Sequence, residues 1–105
     1  MARRSDEVAA VVEVLIPSPL RSYTGGERQV RVALPVLAPE SPPTLGGVLA
    51  ALDGAYHGIR FRMIDEQGKL RPHIRIFVGE RDARDLRTPV PQGTTVMIVA
   101  ALSGG

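Results

Sequence analysis

The sequence predicts an α+β fold in which one main helix packs across one face of a mixed sheet. Short runs of strand length lie near both ends of the chain, and the one stretch with helical spacing lies between them. Segments rich in proline and glycine separate these runs. At 105 residues, with 44% hydrophobic and only 4% aromatic residues, the chain can bury a single aliphatic core.

Two strands are predicted in the first third of the chain. Residues 11–16 are apolar and rich in β-branched side chains, and Pro17 ends the run. Residues 29–34 alternate between polar and apolar side chains, so every second residue faces the core. Because residues 24–27 have the composition of a turn, we predict that the two strands pair as an antiparallel hairpin.

One helix is predicted after a proline-rich loop at 35–43, which holds four prolines. Thr44 can cap a helix that runs from Leu45 to about Ala55. Its apolar face carries residues at the i, i+3, i+4 and i+7 positions: Leu45, Val48, Leu49 and Leu52. Gly46 and Gly47 weaken a helix by propensity, so we interpret them as positions of close packing.

The second half of the chain predicts two further strands. Residues 59–64 fit either a strand or a short helical turn, and the pattern does not choose between them. Residues 73–78 form a strand, 79–92 form a connecting loop, and 95–100 form the last strand, which can pair in parallel with the first. The predicted organisation is therefore a flexible N-terminal extension at 1–10, the domain at 11–101 and a flexible tail at 102–105.

Charge and hydropathy exclude several classes of partner. The 13 Lys and Arg and 11 Asp and Glu give a net charge of +2, and the two signs are interspersed. A mixed surface with few aromatic side chains lacks what nucleic-acid binding needs, so we expect no nucleic-acid partner. No apolar run has the length of a signal-peptide core or a membrane span, so we expect a cytoplasmic protein with no membrane partner.

Metal and thiol chemistry are not indicated. The chain has no cysteine, which excludes disulfides, thiolate metal sites and a catalytic thiol. The two histidines, His57 and His73, are interpreted as a loop residue and a strand-surface residue, and no metal site is expected. If this protein handles sulfur, the sulfur is not on a side chain.

The sequence ends in Gly104-Gly105 directly after the last predicted strand. Glycine loses the most freedom on ordering and buries no side chain, so stability does not explain this pair. One interpretation is a frayed end. The other is a carboxylate on a thin stalk that enters the active site of another protein, and the two glycines alone do not decide between them.

Several short motifs occur in a fixed order along the chain. Residues 73–79 read HIRIFVG, 82–84 read DAR, 92–96 read QGTTV, and Gly-Gly follows at 104–105. The N-terminal half adds PLR at 19–21, TGG at 24–26, TLG at 44–46, YHGI at 56–59 and GKL at 68–70. Over residues 11–105 the chain resembles the MoaD/ThiS family of ubiquitin-like sulfur carriers, and most of all its CysO-type branch.

The resemblance implies a β-grasp fold and a role without catalysis or bound cofactor. An E1-like partner of the MoeB/ThiF type would use ATP to adenylate Gly105, with Gly104 as spacer, and a sulfur donor would convert it to a thiocarboxylate. The accepting partner would be a pyridoxal-phosphate cysteine synthase, with a metalloprotease acting later, or the large subunit of molybdopterin synthase. Cysteine, thiamin, molybdopterin and a sulfur-containing secondary metabolite all remain open as the product.

A partner surface is predicted on the outward residues of the last two main strands. Arg75 and Phe77 alternate with inward residues on one strand, and Met97 and Val99 do so on the other. Leu102 would anchor the tail. Two alternatives remain open. In one, the alternation is inverted and the helix covers this face. In the other, the N-terminal segment shields it.

Two other functions compete with the carrier role. The same tail would serve a ubiquitin-like modifier that forms amide bonds with lysines through Gly105. An interaction module with an inert tail would need neither glycine.

Overall fold

The computed structural model describes residues 9–35 and 41–101. Its strands are β1 Ala9–Leu15, β2 Gln29–Pro35, β3 Ile74–Val78, β4 Arg81–Asp82 and β5 Val96–Ala100. Its helices are α1 Leu45–Ala55, α2 Ile59–Met63 and a 3-10 helix at Ser18–Thr24. Leu102, Gly104 and Gly105 of the predicted tail lie outside the described residues.

The five strands form one mixed sheet in the order β2-β1-β5-β3-β4. β1 is antiparallel to β2 and parallel to β5, which confirms both pairings predicted for the first strand. β1 begins at Ala9, because Ala9 and Ala10 pair with Pro35 and Leu34 across the sheet. The strand therefore takes in two residues of the predicted N-terminal extension at 1–10.

The core lies between α1 and one face of the sheet, as a β-grasp fold requires. The four residues predicted for the apolar face of α1 are all fully buried. The strand residues that meet them are aliphatic and at most 7% exposed: Val12, Val14, Val30, Val32, Leu34, Ile74, Ile76, Val78, Val96 and Ile98. In the described residues, no helix has the length and apolarity needed to cross a bilayer.

The start of α1 is fixed by a cap and by a close contact. The Gly47 N–H donates to Thr44 Oγ1 at 3.1 Å, as predicted. The Gly46 N–H donates to the carbonyl oxygen of Leu86 at 2.8 Å. A Cβ on Gly46 would lie 3.2 Å from that oxygen and 3.3 Å from the Leu86 Cβ. The interpretation of Gly46 as a close-packing position is therefore confirmed.

The ambiguous segment at 59–64 is helical from Ile59 to Met63, and Ile64 is extended. Ile59 and Met63 are fully buried one helical turn apart, whereas the side chain of Phe61 is 56% exposed. Helical spacing therefore decides burial here, since a strand would place Phe61 on the same face as its two apolar neighbours. Asp53 Oδ1 fixes the start of α2 by accepting from the Gly58 and Arg60 N–H groups, both at 3.0 Å.

Two short elements were missed by the sequence prediction. The 3-10 helix at Ser18–Thr24 occupies much of the connection that the sequence predicted only as a turn. The predicted loop at 79–92 contains β4, whose Asp82 pairs with Phe77. β4 has only two residues and therefore no alternation to detect, and the seven residues of the 3-10 helix are fewer than the window in which a helical period can be recognised.

Candidate functional site

The face of the sheet that α1 does not cover carries an apolar row across three strands. Leu15 of β1 lies beside Met97 of β5, and Met97 lies beside Phe77 of β3. Cross-strand neighbours on one face have their Cβ atoms about 5 Å apart, so these side chains are in contact range. Met97 is 38% exposed, although it belongs to a central strand. We call the residues Leu15, Phe77, Met97 and Val99 the open-face patch.

A second row on the same face places the charged side chain of Arg75 beside Val99 of the open-face patch. Val99 lies beside Arg75 in the β3–β5 register and is 38% exposed. The Arg75 guanidinium lies 3.8 Å from a carboxylate oxygen of Asp82 on β4. An exposed pair of this kind is worth about 0–1 kcal/mol, so Arg75 remains available to a partner at little cost.

The structure thus brings together four of the five residues predicted as a partner surface. Arg75, Phe77, Met97 and Val99 share one face in two adjacent rows. Because α1 packs on the opposite face, the alternation is not inverted and the helix does not cover them. The fifth residue, Leu102, lies outside the described residues, and so does the segment 1–8 that was considered as a shield.

Leu15 is a member of the open-face patch that the sequence prediction missed. It lines a depression of about 460 Å³ together with Met97, Val99, Pro17 and Arg28. The run at 11–16 was interpreted only through its buried face. Its alternation with Val12 and Val14 would have placed Leu15 on the outer face, and the predicted parallel pairing would have placed it beside β5.

The sheet also fixes where the tail leaves. The Ala101 N–H donates to the His73 carbonyl oxygen at 2.9 Å, which extends the β3–β5 ladder one residue past β5. β5 lies between β1 and β3 in the sheet. β5 pairs with β1 only at Val96 and Met97, but it pairs with β3 along its whole length, from Val96 to Ala100. The β3 ladder therefore defines where the chain leaves the sheet at Ala101.

The charged side chains of the described residues form no metal-binding cluster. No three His, Asp or Glu side chains in the described residues lie close enough to hold a metal ion. Asp85 has its pKa lowered by the side-chain hydrogen bond from Arg87, 3.0 Å away, and by the Arg87 backbone N–H and charge. This exposed pair organises a loop.

Several known proteins match this chain over nearly their whole length. None of the protein-family models matches the chain. The sulfur carrier protein CysO of Mycobacterium tuberculosis is 36% identical to it over 99 residues, which cover 90% of this chain and 98% of that protein. The crystal structure of that CysO superposes with a TM-score of 0.73 and covers 87% of this chain.

Two further structures resemble this one. A complex of BexX with CysO from Amycolatopsis orientalis contains a chain that matches with a TM-score of 0.74 and 30% identity, over 90% of this chain and 99% of that one. The small archaeal modifier protein 1 of Haloferax volcanii, SAMP1, matches with a TM-score of 0.71 and 26% identity, over 90% and 99% of the two chains. The likeness runs over nearly the whole length of each protein.

Proposed function

Because this chain belongs to the family of the CysO sulfur carrier proteins, we propose that it carries sulfur for biosynthesis and catalyses no reaction itself. The observation that carries this proposal is the 36% identity to a CysO over 98% of that protein. The reacting group is the carboxylate of Gly105, and Gly104 is the spacer that lets it enter a narrow active site.

The chemistry begins with a carboxylate that is a poor electrophile. A C-terminal carboxyl has a pKa of about 3.5, so it is ionised at neutral pH and needs activation. An E1-like partner would let this carboxylate attack the α-phosphorus of ATP, forming an acyl adenylate and releasing pyrophosphate. Hydrosulfide would then attack the acyl carbon, forming a C–S bond and releasing AMP and a proton. The product is a thiocarboxylate at Gly105.

The arrangement of the described residues supports a carrier in which one surface binds the partner and the C-terminal tail carries the reacting group. β5 is held between two strands and leads directly towards the tail. Two members of the open-face patch, Met97 and Val99, lie on the same strand and present apolar surface beside Arg75 of β3. A partner that covers the open-face patch would therefore receive the tail in a fixed direction.

The accepting partner that we propose is a pyridoxal-phosphate cysteine synthase, since the relatives are CysO proteins. The thiocarboxylate sulfur would add to an aminoacrylate held by that enzyme, and a metalloprotease would later release the amino acid and restore Gly105. The large subunit of molybdopterin synthase is the alternative acceptor.

The test is the intact mass of the protein from its own host, with and without a thiol-alkylating reagent. The chain has no cysteine, so an alkylatable replacement of oxygen by sulfur located at Gly105 can only be a thiocarboxylate. Deletion of Gly105 should abolish it. A plain carboxylate, with no loading by ATP, sulfide and the host's activating enzyme, would contradict the proposal.

A second candidate is a protein modifier joined to lysines through Gly105. The observation that favours it is the 26% identity to small archaeal modifier protein 1. A ladder of covalent conjugates in host extract that vanishes when Gly105 is deleted would support the modifier. A single sulfur-bearing species would support the carrier.

A further inference from the structure

A second surface lies where the chain leaves the sheet. A groove of about 410 Å³ opens beside Ala100 and Ala101 and is walled by the edge of α2 and the segment before β3. The side chains that give it chemical character are Phe61, Arg62, Arg71 and His73. We call it the tail-base groove. None of the residues that line it is acidic.

Arg71 is held in place at the tail-base groove. Its Nε donates to the Phe61 carbonyl oxygen at 2.8 Å, and its Cζ lies 4.5 Å from the centroid of the Phe61 ring. Its backbone N–H donates to the Met63 carbonyl oxygen at 2.9 Å. A guanidinium has five N–H donors, so the two terminal nitrogens keep four for another group. The arginine is therefore pre-organised at little further entropy cost.

The positive charge of the groove is not neutralised within the described residues. In that part of the chain, neither Arg62 nor Arg71 forms an ion pair with a carboxylate. The charge of Arg71 helps to lower the pKa of Asp65, after the hydrogen bonds that Asp65 accepts from the backbone of Lys69 and Gln67. Asp65 does not line the groove. Two arginines and an exposed aromatic ring thus face the groove without an acidic counterpart.

We propose that the tail-base groove binds an acidic segment of the activating enzyme, with Arg62 and Arg71 pairing with its carboxylates. Any protein that encloses the tail must pass the residues around Ala101, because the tail leaves the sheet there. Arg71 can donate two parallel N–H···O hydrogen bonds to a carboxylate, which fixes orientation as well as affinity. The groove would thus align the tail, while the open-face patch supplies apolar contact.

The test is the loading of the protein by the host's activating enzyme with ATP and sulfide, measured as kcat/KM at low and high salt. Arg62→Glu should lower kcat/KM by about tenfold at low salt and flatten its salt dependence. Arg60→Glu is the matched control, because it makes the same charge change on the same helix outside the groove. It should load like the wild type.

The outcomes separate this inference from the carrier role on which it rests. If the wild type is not loaded at all, the carrier proposal fails. If the wild type, Arg62→Glu and Arg60→Glu are all loaded equally, the carrier proposal stands and the groove inference is wrong. Equal losses in both variants would also contradict it, because general electrostatic steering would then explain the effect.

A measurement on the protein alone checks whether its own tail fills the groove. Backbone amide shifts are recorded for the full chain and for a variant that lacks residues 102–105. The amides of Phe61, Arg62 and Arg71 should be unchanged. A shift of these amides on deletion would mean that the tail occupies the groove, which would overturn the assignment to a partner.

Discussion

The two faces of the sheet are built from the same strands and serve different purposes. In β5, Val96 and Ile98 are at most 2% exposed, whereas their neighbours Met97 and Val99 are each 38% exposed. All four side chains are apolar. The covered face gains stability from burial under α1, whereas the open face leaves apolar surface in water, which is useful only if a partner covers it.

This difference shows that hydrophobicity alone does not identify the core. Alternation separates the residues of β5 into two sets, and only the position of α1 says which set is buried. A strand that is apolar on both faces next to a single covering layer is therefore a sign of an interface. The substitutions below distinguish residues that stabilise the fold from residues that bind a partner.

The largest expected effect is on the covered face. Ile98→Ala should lower the free energy of unfolding by about 2–5 kcal/mol, because it leaves a cavity in the aliphatic core. Val99→Ala, one residue along the same strand, should cost less than about 1 kcal/mol. Urea unfolding of both variants gives the comparison. Equal losses would mean that the open face also contributes to the core.

The next effect is on binding by the open face. Met97→Ala should weaken binding to the activating enzyme by about tenfold. It should lower the unfolding midpoint much less than Ile98→Ala does, since Met97 is 38% exposed beside Leu15 and Phe77. Arg31→Ala on β2, at the far edge of the sheet, is the control and should bind normally. Titration calorimetry measures both. Unchanged affinity of Met97→Ala would place the interface elsewhere.

A smaller effect compares two glycines of α1. Gly46→Ala should destabilise the fold by about 1 kcal/mol, because the added Cβ would press on a Leu86 oxygen that is already hydrogen-bonded. Gly54→Ala, where no atom lies within 4 Å of an added Cβ, should stabilise it by about 0.5–1 kcal/mol. Thermal unfolding reports both signs. Stabilisation by Gly46→Ala would mean that the Leu86 loop can move away.

The smallest effect concerns the turn between α2 and β3. Hydrogen bonds from the backbone N–H groups of Lys69 and Gln67, and the charge of Arg71, hold the pKa of Asp65 below its ordinary value of 3.8. A lowered pKa means that the carboxylate stabilises the fold above pH 3.8 and that this contribution is lost as the pH falls through the folded-state pKa.

Asp65→Asn should therefore be less stable than the wild type at neutral pH and closer to it in acid. Urea midpoints at neutral pH and well below pH 3.8 test this. The effect should be small, because Asp65 is only partly buried and water screens its interactions. A gap between the two proteins that does not narrow in acid would assign the loss to the side-chain amide and not to the charge.

Much of the candidate site could be predicted from the sequence because strands have a strict period of two. That period by itself places Phe77 and Met97 on the outward face, and the pairing of β3 with β5 makes them neighbours. The Thr44 cap and the buried face of α1 could be predicted for a different reason. Helix ends and helix faces have local sequence signatures.

The sequence by itself determined the periodic elements, their inward faces and the order of motifs that indicates the family. Only the tertiary structure decided the register that sets Leu15 beside Met97, that 59–63 is helical, and that Phe61, Arg62 and Arg71 meet beside Ala101. The physical reason is that these features depend on contacts between segments distant in the chain, or on pieces too short to carry a period.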